Sequence, residues 1–478
     1  MTTTVTSLRT ISVDVAVIGA GTAGMSAYRS ANALGKRVVL IESHRYGTTC
    51  ARVGCMPSKL LIAPADALHA TERLAAFGIT MPQLPQVDRK AVMQRVQAER
   101  DRFVSFVIDD VGHFDSDDKI IGQAQFIDNN TLQIDQHTRV NARSIVIATG
   151  STPVYPAPWA SLGARLLTTE TVFELEQLPD SVAVFGPGVI GLELGQALAR
   201  LGVRVKVFGR GGGLAGLSDA SVRDYAKKTF ANEFYLDTDA QAKVSNRQDG
   251  VAVEFRGRDG SIQHEDFDYV LAATGRKANV RSLHLSNTSL ALDGHGVPIF
   301  DRTTLRCGDT AIFIAGDVNE DLPLLHEAAD EGGIAGANAA HYPIVTPGRR
   351  RAPLAIVFTD PQIAVVGNGW RHAQTVDHVT GVVSFEGQGR SRVMLRNQGL
   401  LHVYVEKSTH RFVGAEMIGP DAEHIGHLLA WALQMNLSVD QMLDMPFYHP
   451  VIQEGLRTAL RDAKAKIDAA NVEPQQAA

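Results

Sequence analysis

Two stretches of the chain share one pattern of apolar and polar positions. In residues 13–43, a short apolar run rich in β-branched residues (VAVI) leads into a glycine-rich turn, a segment of small and apolar residues, an LG pair and a second apolar run, VVLI. Residues 181–210 repeat this order, from VAVF to VKVF. Each stretch is typical of a strand–helix–strand unit with parallel strands. Because the two units start about 170 residues apart, the pattern predicts two similar domains rather than one sheet.

The remaining pattern extends this organisation. A helical segment is predicted over about 57–110, and a long helix of small residues over 322–340. Apolar strands that end at a glycine are predicted at IVIATG (145–150), VLAATGR (270–276) and IFIAGDV (312–318). From 354 to 465, alternating strands and helices favour an α+β module with an antiparallel sheet. The PGRRRAP segment (347–353) is predicted to be a solvated boundary loop.

Composition narrows the class of protein. Hydrophobic residues make up 45% of the 478 residues and charged residues 21%, which is typical of a folded globular chain. The 46 basic and 52 acidic residues leave a net charge of −6, so no overall basic field attracts nucleic acid or an anionic membrane. No apolar run has the length of a membrane span, and no secretory signal is visible. With only three cysteines, disulfides are not expected to hold the fold together, and we expect a cytoplasmic location.

The first glycine-rich turn predicts a dinucleotide site. It reads G-A-G-T-A-G, with Gly19, Gly21 and Gly24 directly after a predicted strand. In this position the first glycine permits a tight turn, the second lets backbone approach a pyrophosphate, and the third lets helix and strand pack closely. Glu42 ends the next strand, where a carboxylate can accept hydrogen bonds from a ribose hydroxyl. We expect these residues to bind a dinucleotide, with a purely structural turn as the alternative.

The second turn has the same glycines but no matching carboxylate. Its G-P-G-V-I-G glycines are Gly186, Gly188 and Gly191. Gly209 stands in the register of Glu42, and Arg210 follows it. The guanidinium of Arg210 could meet a 2′-phosphate, or it could be solvated in a loop. A nicotinamide dinucleotide is therefore expected here, and the choice between NAD and NADP stays open.

Two cysteines, Cys50 and Cys55, lie between the first unit and the next predicted helix. Residues five apart in an ideal helix have Cα atoms roughly 8.7 Å apart, whereas a disulfide needs about 4.4–6.8 Å. A bridge therefore requires a distorted first turn, which Gly54 permits. Two buried thiols or a metal site are the alternatives, although no further ligands stand at close spacing. A redox-active pair is favoured, because the cysteines follow a dinucleotide-binding unit and lie near a helix N-terminus that stabilises a thiolate.

A candidate acid/base lies near the end of the sequence, in FYHPVIQEGLR. Pro450 disfavours helical geometry at His449 and fits the first position of a following helix. Glu454 could then bond one ring nitrogen of His449 and fix its tautomer. Taken alone, such a pair is more often structural than catalytic. Cys307, the third cysteine, is predicted to be an inert packed thiol.

The order of these features resembles one family. Two glycine-rich turns, C-x₄-C and His-Pro with a glutamate five residues after the histidine together resemble the flavin-dependent pyridine nucleotide–disulfide oxidoreductases, over about residues 12–465. Within that family the chain is most similar to the dihydrolipoamide dehydrogenase branch. The resemblance implies an α/β fold with two Rossmann-like dinucleotide-binding domains and a C-terminal α+β dimerisation domain. The implied bounds are 1–152 and 276–348 for FAD binding, 153–275 for NAD(P) binding and 349–478 for dimerisation.

The resemblance also implies a role for each candidate residue. Cys50 would exchange with substrate and Cys55 would face the flavin, while His449, held by Glu454, would be the acid/base from the other subunit of a homodimer. The residues implied for FAD are Gly19, Gly21, Gly24, Glu42, Lys59, Gly150 and Asp317. Those implied for the nicotinamide dinucleotide are Gly186, Gly188, Gly191, Glu193, Gly275 and Arg276, with Arg210 as the candidate contact to a 2′-phosphate. No metal is implied.

The implied reaction is oxidation of protein-bound dihydrolipoamide to lipoamide with reduction of NAD⁺, and the implied partner is a lipoyl-bearing carrier protein of a 2-oxoacid dehydrogenase or related complex. The sequence departs from the family pattern at Thr48, where glycine is usual, at Gln362, where glutamate is usual, and at Gly209, where the branch commonly has glutamate. The main alternative is an NAD(P)H-dependent reductase of another small disulfide, similar to glutathione reductase. A mercuric-reductase role usually needs an additional C-terminal cysteine pair, which the sequence lacks. A non-catalytic flavoprotein is disfavoured because both cysteines, the histidine and its glutamate are present.

Overall fold

The computed structural model describes residues 8–83, 85–257 and 259–476, with side chains through 470. These residues form two compact units. The first consists of the described parts of Met1–Pro57, Gln97–Val154 and Gly275–Arg350, and the second of those of Ser58–Val96, Tyr155–Thr274 and Arg351–Ala478. Among the described helices, none has both the length and the apolar character needed to cross a membrane.

The secondary structure follows the chain in this order. The α-helices are α1 (Thr22–Ala33), α2 (Thr49–Val53), α3 (Cys55–Glu72), α4 (Arg89–Gly112), α5 (Val189–Arg200), α6 (Ala220–Ala231), α7 (Leu325–His341), α8 (Gly369–Ala373), α9 (Gly389–Val393), α10 (Ala422–Gln434), α11 (Val439–Leu443) and α12 (Glu454–Gln476). The strands are β1 (Arg9–Ile18), β2 (Val38–Glu42), β3 (Lys119–Ile121), β4 (Ala124–Phe126), β5 (Thr131–Ile134), β6 (Thr138–Ile147), β7 (Ser151–Pro153), β8 (Leu166–Leu167), β9 (Ser181–Phe185), β10 (Arg204–Phe208), β11 (Tyr235–Asp237), β12 (Lys243–Asn246), β13 (Val251–Arg256), β14 (Ile262–Phe267), β15 (Tyr269–Ala272), β16 (Arg276–Ala278), β17 (Ile312–Ile314), β18 (Leu354–Val357), β19 (Gln362–Val366), β20 (His378–Ser384), β21 (Leu400–Glu406) and β22 (Phe412–Gly419).

A mostly parallel sheet forms the core of the first unit. β1 lies between β2 and β6, β3 and β17 extend the parallel part, and β4 and β5 add an antiparallel edge. Over residues 15–18 of β1, alternate side chains enter two different apolar clusters, as expected for a strand buried on both faces. Helix α7 packs closely on α1, because a Cβ added at Gly332 or Gly336 would lie 2.2 Å from the Ala23 oxygen or 2.3 Å from the Ala27 oxygen. The small residues of this helix are therefore needed for its close packing against α1.

The second unit repeats the parallel design and adds an antiparallel part. β9 lies between β10 and β15, with β11 and β8 at the edges, and all of these pairs are parallel. β12, β13 and β14 form a small antiparallel sheet. A further antiparallel sheet has the order β18-β19-β22-β21-β20 and shares one apolar cluster with α10 and α12. The structure confirms the predicted fold class.

A buried polar network ties the segment after β10 to the antiparallel sheet within the second unit. The carboxylate of Glu416, on β22, accepts hydrogen bonds from the backbone N–H groups of Ser218, Asp219 and Trp370, each at 2.9 Å. Asp219, which caps α6, accepts hydrogen bonds from His402 at 2.7 Å and Tyr404 at 2.9 Å. Burial alone would raise the pKa of Asp219, but its bonds with His402 bring that pKa down to about 2. The network therefore keeps a charged carboxylate inside the fold.

Two predicted helix boundaries are wrong. The segment predicted as helical over 57–110 is two helices, α3 and α4, separated by a short 3₁₀ helix and a loop. Gly78 has a left-handed φ of +76° at the end of that 3₁₀ helix, and Pro82 and Pro85 follow it, so the helix cannot continue. At the other end of the chain, the last helix begins at Glu454 rather than at Pro450. The residues between them form a turn in which the Glu454 N–H bonds the Val451 oxygen.

Candidate active site

The first glycine-rich turn has the geometry of a dinucleotide loop. Gly19 has a φ of +104°, and a Cβ added there would lie 2.3 Å from the Ala148 oxygen on the neighbouring chain segment. A Cβ at Gly24 would lie 1.8 Å from the Gly19 oxygen, so α1 can start this close to β1 only with glycine. A Cβ added at Gly21, just before α1, would have no other group within 4 Å. Gly19 and Gly24 thus permit the tight turn, and Gly21 leaves the backbone accessible at the helix N-terminus.

Glu42 lies beside this turn. Its carboxylate accepts a hydrogen bond from the Ala20 N–H at 2.9 Å and another from the His44 N–H at 3.1 Å. The structure thus brings the acid at the end of β2 against the glycine turn. Two backbone donors thus fix the orientation of this carboxylate.

The second turn reproduces this geometry in the second unit. Gly186 has a φ of +106°, and its added Cβ would lie 2.2 Å from the Ala273 oxygen. A Cβ at Gly191 would lie 1.9 Å from the Gly186 oxygen, while Gly188 before α5 again faces open space. Arg210, at the end of β10, is exposed. The internal repeat in the sequence is therefore a repeat in backbone structure.

An ion pair links α3 to α5. Lys59 Nζ lies 2.7 Å from a carboxylate oxygen of Glu193, whose side chain is 4% exposed. The other oxygen of Glu193 accepts the Phe358 N–H at 2.9 Å, and Lys59 also lies over the Phe358 ring at 4.5 Å from its centroid. A buried carboxylate thus holds the lysine and one backbone group, and the lysine remains about one-third exposed. The sequence did not indicate that Lys59 and Glu193, predicted for different cofactors, are partners.

In the first unit, Asp317 and Arg276 meet through Ser151. The Ser151 hydroxyl donates to Asp317 at 2.9 Å, and Arg276 donates from Nε to that hydroxyl at 2.8 Å and from Nη2 to the Ser151 carbonyl at 2.6 Å. β7 and β16, which hold Ser151 and Arg276, pair antiparallel. Sequence reasoning missed Ser151, since a serine after a glycine turn gives no specific signal.

The neighbouring turns are fixed by Asn279, which sequence reasoning also missed. Its N–H donates to the Gly150 carbonyl at 3.0 Å, and its side chain donates to the Thr149 carbonyl at 3.0 Å. Gly150 has a φ of +67°. Gly275, with a φ of +113°, accepts the Val154 N–H at 3.0 Å. Both predicted glycines therefore occupy turns that favour glycine.

A buried charge cluster holds the backbone before Asp317. The carboxylate of Glu331, fully buried on α7, accepts hydrogen bonds from the Gly316 N–H at 2.7 Å and the Asn319 amide at 2.8 Å. Arg350 Nη2 lies 2.8 Å from the other oxygen of Glu331 and 3.0 Å from buried Glu327. Burial raises the pKa of Glu331, and Arg350 offsets that cost. The prediction that the 347–353 segment is a solvated boundary loop is wrong at Arg350, which is 19% exposed and forms ion pairs with two buried carboxylates.

The two cysteines lie at the starts of consecutive helices. Cys50 is in the first turn of α2 and is half-buried, and Cys55 begins α3 and is exposed. Gly54 separates the helices, with a φ of −123° and a ψ of −115° that are not helical. A Cβ added at Gly54 would lie 3.3 Å from Cys50 Cα, so a larger residue would crowd this cysteine. The predicted distortion between the cysteines is therefore present at the predicted glycine. Cys307 is buried, and burial raises the pKa of its thiol to about 12.

His449 and Glu454 are paired as predicted. His449 Nδ1 lies 3.1 Å from each carboxylate oxygen of Glu454, and the imidazole is 80% exposed. Arg457 donates to the same carboxylate at 2.8 Å, and the Val451 N–H donates at 3.3 Å. The hydrogen bond from His449 lowers the pKa of Glu454. The arrangement holds Nδ1 and leaves Nε2 for a substrate or partner group.

Apolar side chains on α10 and at its C-cap, Met435, are exposed in the second unit. Trp431 is 66% exposed, Met435 67% and Leu428 42%. Their spacing places them on one face of the helix. Tyr448, next to His449, is 81% exposed. The apolar face formed by Leu428, Trp431 and Met435 is therefore a candidate interaction surface.

Comparison with known proteins identifies the family to which this chain belongs. The pyridine nucleotide-disulphide oxidoreductase model matches residues 13–332, and the dimerisation domain of the same family matches residues 354–460. The chain belongs to the pyridine nucleotide-disulphide oxidoreductases. Members of this family use FAD and a pyridine nucleotide, and the dimerisation domain supports a homodimer.

Similar proteins have more than one activity. A mitochondrial dihydrolipoyl dehydrogenase of Caenorhabditis elegans is 30% identical over 469 residues, covering 93% of this chain and 91% of that protein. A mercuric reductase of Staphylococcus aureus is 27% identical over 456 residues, covering 93% and 81%. The fold is also that of the HOCl-induced flavoprotein disulfide reductase RclA from Escherichia coli, with a TM-score of 0.77 at 24% identity over 95% of this chain and 99% of that one.

The residues present fit the family's cofactors. Each glycine turn leaves its second glycine open at a helix N-terminus, where backbone N–H groups can meet a pyrophosphate. The first turn adds a carboxylate held by backbone, a group that can accept a hydrogen bond from a ribose hydroxyl of a dinucleotide. Within the described part of the chain, no group of three or more His, Cys, Asp or Glu side chains is arranged to hold a metal ion.

The Arg350 cluster gives a stability prediction. Replacing Arg350 with Met should lower the free energy of unfolding by about 3–5 kcal/mol, because two buried carboxylates lose their cation. Replacing the adjacent Arg349, which is exposed, with Met should change it by no more than about 0.5 kcal/mol. Urea unfolding of the two variants beside the unmodified protein measures the difference. Equal small effects would show that Arg350 does not stabilise the cluster.

Proposed function

We propose that the protein oxidises protein-bound dihydrolipoamide to lipoamide and reduces NAD⁺, using a Cys50–Cys55 disulfide. The observation that carries the proposal is the interruption at Gly54, which sets a half-buried and an exposed cysteine at two successive helix starts. The Met56–Lys59 run after the cysteines favours the lipoamide branch, as does the dihydrolipoyl dehydrogenase named among the similar proteins. The implied partner is a lipoyl-bearing carrier protein.

The protein's own groups would act in the following sequence. His449 takes a proton from one substrate thiol through Nε2, and Glu454 stabilises the imidazolium from Nδ1. The substrate thiolate attacks Cys50 Sγ, so the Cys50–Cys55 bond breaks and Cys55 leaves as a thiolate. The second substrate thiol then displaces Cys50, which releases the cyclic disulfide and leaves a reduced cysteine pair. FAD, held at the first glycine turn, would supply the two-electron carrier between this cysteine pair and the nicotinamide ring.

The remaining predicted residues position the two cofactors in this proposal. Gly19, Gly21, Gly24, Glu42, Lys59, Gly150 and Asp317 would hold FAD, and Gly186, Gly188, Gly191, Glu193, Gly275, Arg276 and Arg210 would hold the nicotinamide dinucleotide. The three-domain division at 152, 275 and 348 belongs to the same proposal. Residues 349–478 would form the subunit interface, for which the exposed face of α10 is a suitable surface.

A second candidate is an NAD(P)H-dependent reductase of another small disulfide. The specific observation in its favour is the exposed Arg210 after Gly209, since no carboxylate ends β10. In that case the electrons run in the opposite direction through the same cysteines. The two candidates differ in substrate and not in the residues that react.

The cysteine assignment predicts a separation of activity from flavin binding. Replacing Cys50 or Cys55 with Ser should abolish dihydrolipoamide-dependent NAD⁺ reduction while the protein stays yellow, since neither residue is assigned to hold FAD. Cys307→Ala, which alters only a buried thiol, should keep the turnover of the unmodified protein. Near-normal turnover in either serine variant would contradict the assignment.

The shared-site hypothesis predicts complementation between inactive subunits. Cys50→Ser and His449→Gln should each be inactive alone, but a heterodimer of the two should contain one intact site, if His449 serves the cysteines of the other subunit. Subunits mixed by unfolding and refolding should then regain about a quarter of the normal activity by random pairing.

The matched control is a mixture of Cys50→Ser with Cys55→Ser. Both changes then lie on the cysteine side of every site, and no activity should return. Recovery in the control, or none in the first mixture when mass spectrometry shows heterodimers, would contradict a site shared between subunits.

A further inference from the structure

The two glycine turns match in backbone but differ in one interaction. In the first, the Ala20 N–H donates to Glu42 at 2.9 Å. The Gly19 N–H bonds the Ile41 oxygen at 2.7 Å, and in the second turn the Gly186 N–H bonds the Phe208 oxygen at 2.8 Å. These bonds set the two turns in register, so Pro187 corresponds to Ala20 and Gly209 to Glu42.

At Pro187, the position that corresponds to Ala20, the second turn has no hydrogen-bond donor. Pro187 lacks a backbone N–H, so a carboxylate at the end of β10 would lose the hydrogen bond that orients Glu42. The position that would supply the carboxylate is glycine. Donor and acceptor are therefore both missing from the second turn.

The second turn also has no room for a side chain at Gly209. An added Cβ would lie 2.6 Å from Pro187 Cγ and 2.6 Å from the Thr238 oxygen. Contacts this short do not occur without movement of the proline ring or of backbone. Pro187 therefore excludes the acidic residue in two ways, by lacking the N–H and by filling the space with its ring.

The residue that follows Gly209 at this end of β10 carries a positive charge. Arg210 is exposed, and in the described part of the chain no ion pair or hydrogen bond holds its guanidinium. The nearby acids are committed to backbone groups: Asp239 accepts the Gly211 N–H at 2.7 Å, and Asp237 accepts the Asp239 N–H at 3.0 Å. A phosphate would thus meet a free cation rather than the carboxylate that usually rejects it.

We propose that Pro187 and Gly209 together exclude the acidic ribose contact from the second turn, so that this site accepts a nicotinamide dinucleotide with a 2′-phosphate as well as one with a free 2′-hydroxyl, with Arg210 as the phosphate contact. The inference rests on the proposed function only in placing the nicotinamide dinucleotide on this turn. It names Pro187, which lies in the glycine turn, as a determinant of nucleotide choice.

The test is direct binding of NAD⁺ and NADP⁺ to the FAD-loaded protein by calorimetry, with no dithiol present. The unmodified protein should bind the two with dissociation constants within about tenfold of each other. Arg210→Glu should weaken NADP⁺ binding at least about tenfold more than NAD⁺ binding, because it places a carboxylate where the 2′-phosphate meets a cation. Lys228→Glu, the same charge reversal at an exposed residue of α6, should alter neither.

A second comparison isolates Pro187. Gly209→Glu alone should weaken both nucleotides, because the side chain has neither room nor a donor. Pro187→Ala/Gly209→Glu should bind NAD⁺ more tightly than Gly209→Glu alone while NADP⁺ stays weak, since the restored N–H can hold the carboxylate as Ala20 holds Glu42. The contact with the Thr238 oxygen is common to both variants, so the difference between them reports the proline.

The contrary results are distinct from a failure of the proposed function. Binding of NAD⁺ more than about a hundredfold tighter than NADP⁺, or equal effects of Arg210→Glu on both nucleotides, would overturn the inference. Binding of neither nucleotide to the flavin-loaded protein would overturn the assignment of the second turn itself. Comparable binding of both without any turnover of dihydrolipoamide would support the inference and reject the proposed substrate.

Discussion

The structure depends on one close contact that occurs twice, in which the start of a helix approaches the turn that follows the preceding strand. At Gly24 and Gly191 the first turn of a helix passes so near the opening glycine of its own turn that a single Cβ would lie within 2 Å of a carbonyl oxygen. Because of this approach, the unpaired N–H groups at the start of each helix lie beside the second glycine of the turn, where no side chain blocks access to them. The cofactor sites that we propose lie at these turns, because the loops that bring further side chains begin at the carboxyl ends of the same sheets.

Buried or half-buried glutamates fix the loops around these turns. Glu42 holds the Ala20 N–H, Glu331 the Gly316 N–H and Glu193 the Phe358 N–H, while Glu416 holds three N–H groups in the second unit. A carboxylate that accepts charge-assisted bonds from backbone can fix a loop that has no regular structure of its own. Two of these acids need a cation nearby, which Lys59 and Arg350 supply. The hydrogen bonds and ion pairs that stabilise these buried carboxylates therefore also fix the positions of the loops.

Local and repeated features could be predicted from the sequence. The two strand–helix–strand units, the glycine turns and the break between the cysteines follow from residues close together in the chain, so the patterns located them. His449 and Glu454 are also near neighbours, and their pairing was predicted, although the helix starts four residues later than expected because the turn after Pro450 intervenes.

The missed features join distant segments. Ser151 links Arg276 to Asp317 only because β7 and β16 pair, and Arg350 reaches α7 from a segment whose composition resembles an exposed linker. Likewise, the meaning of Pro187 depends on its contact with Gly209, 22 residues later in the sequence. Propensity and periodicity describe local preference, and they contain no information about which distant groups a fold brings within hydrogen-bond distance.

The most direct test of the account is to follow nicotinamide reduction by the purified, flavin-loaded protein with dihydrolipoamide, using NAD⁺ and NADP⁺ in parallel. We predict reduction that requires both the dithiol and a nucleotide, with either nucleotide accepted. No reduction of either nucleotide, by protein that binds both and whose flavin is reduced by NADH or NADPH, would contradict the central claim that dihydrolipoamide is the dithiol that exchanges with Cys50.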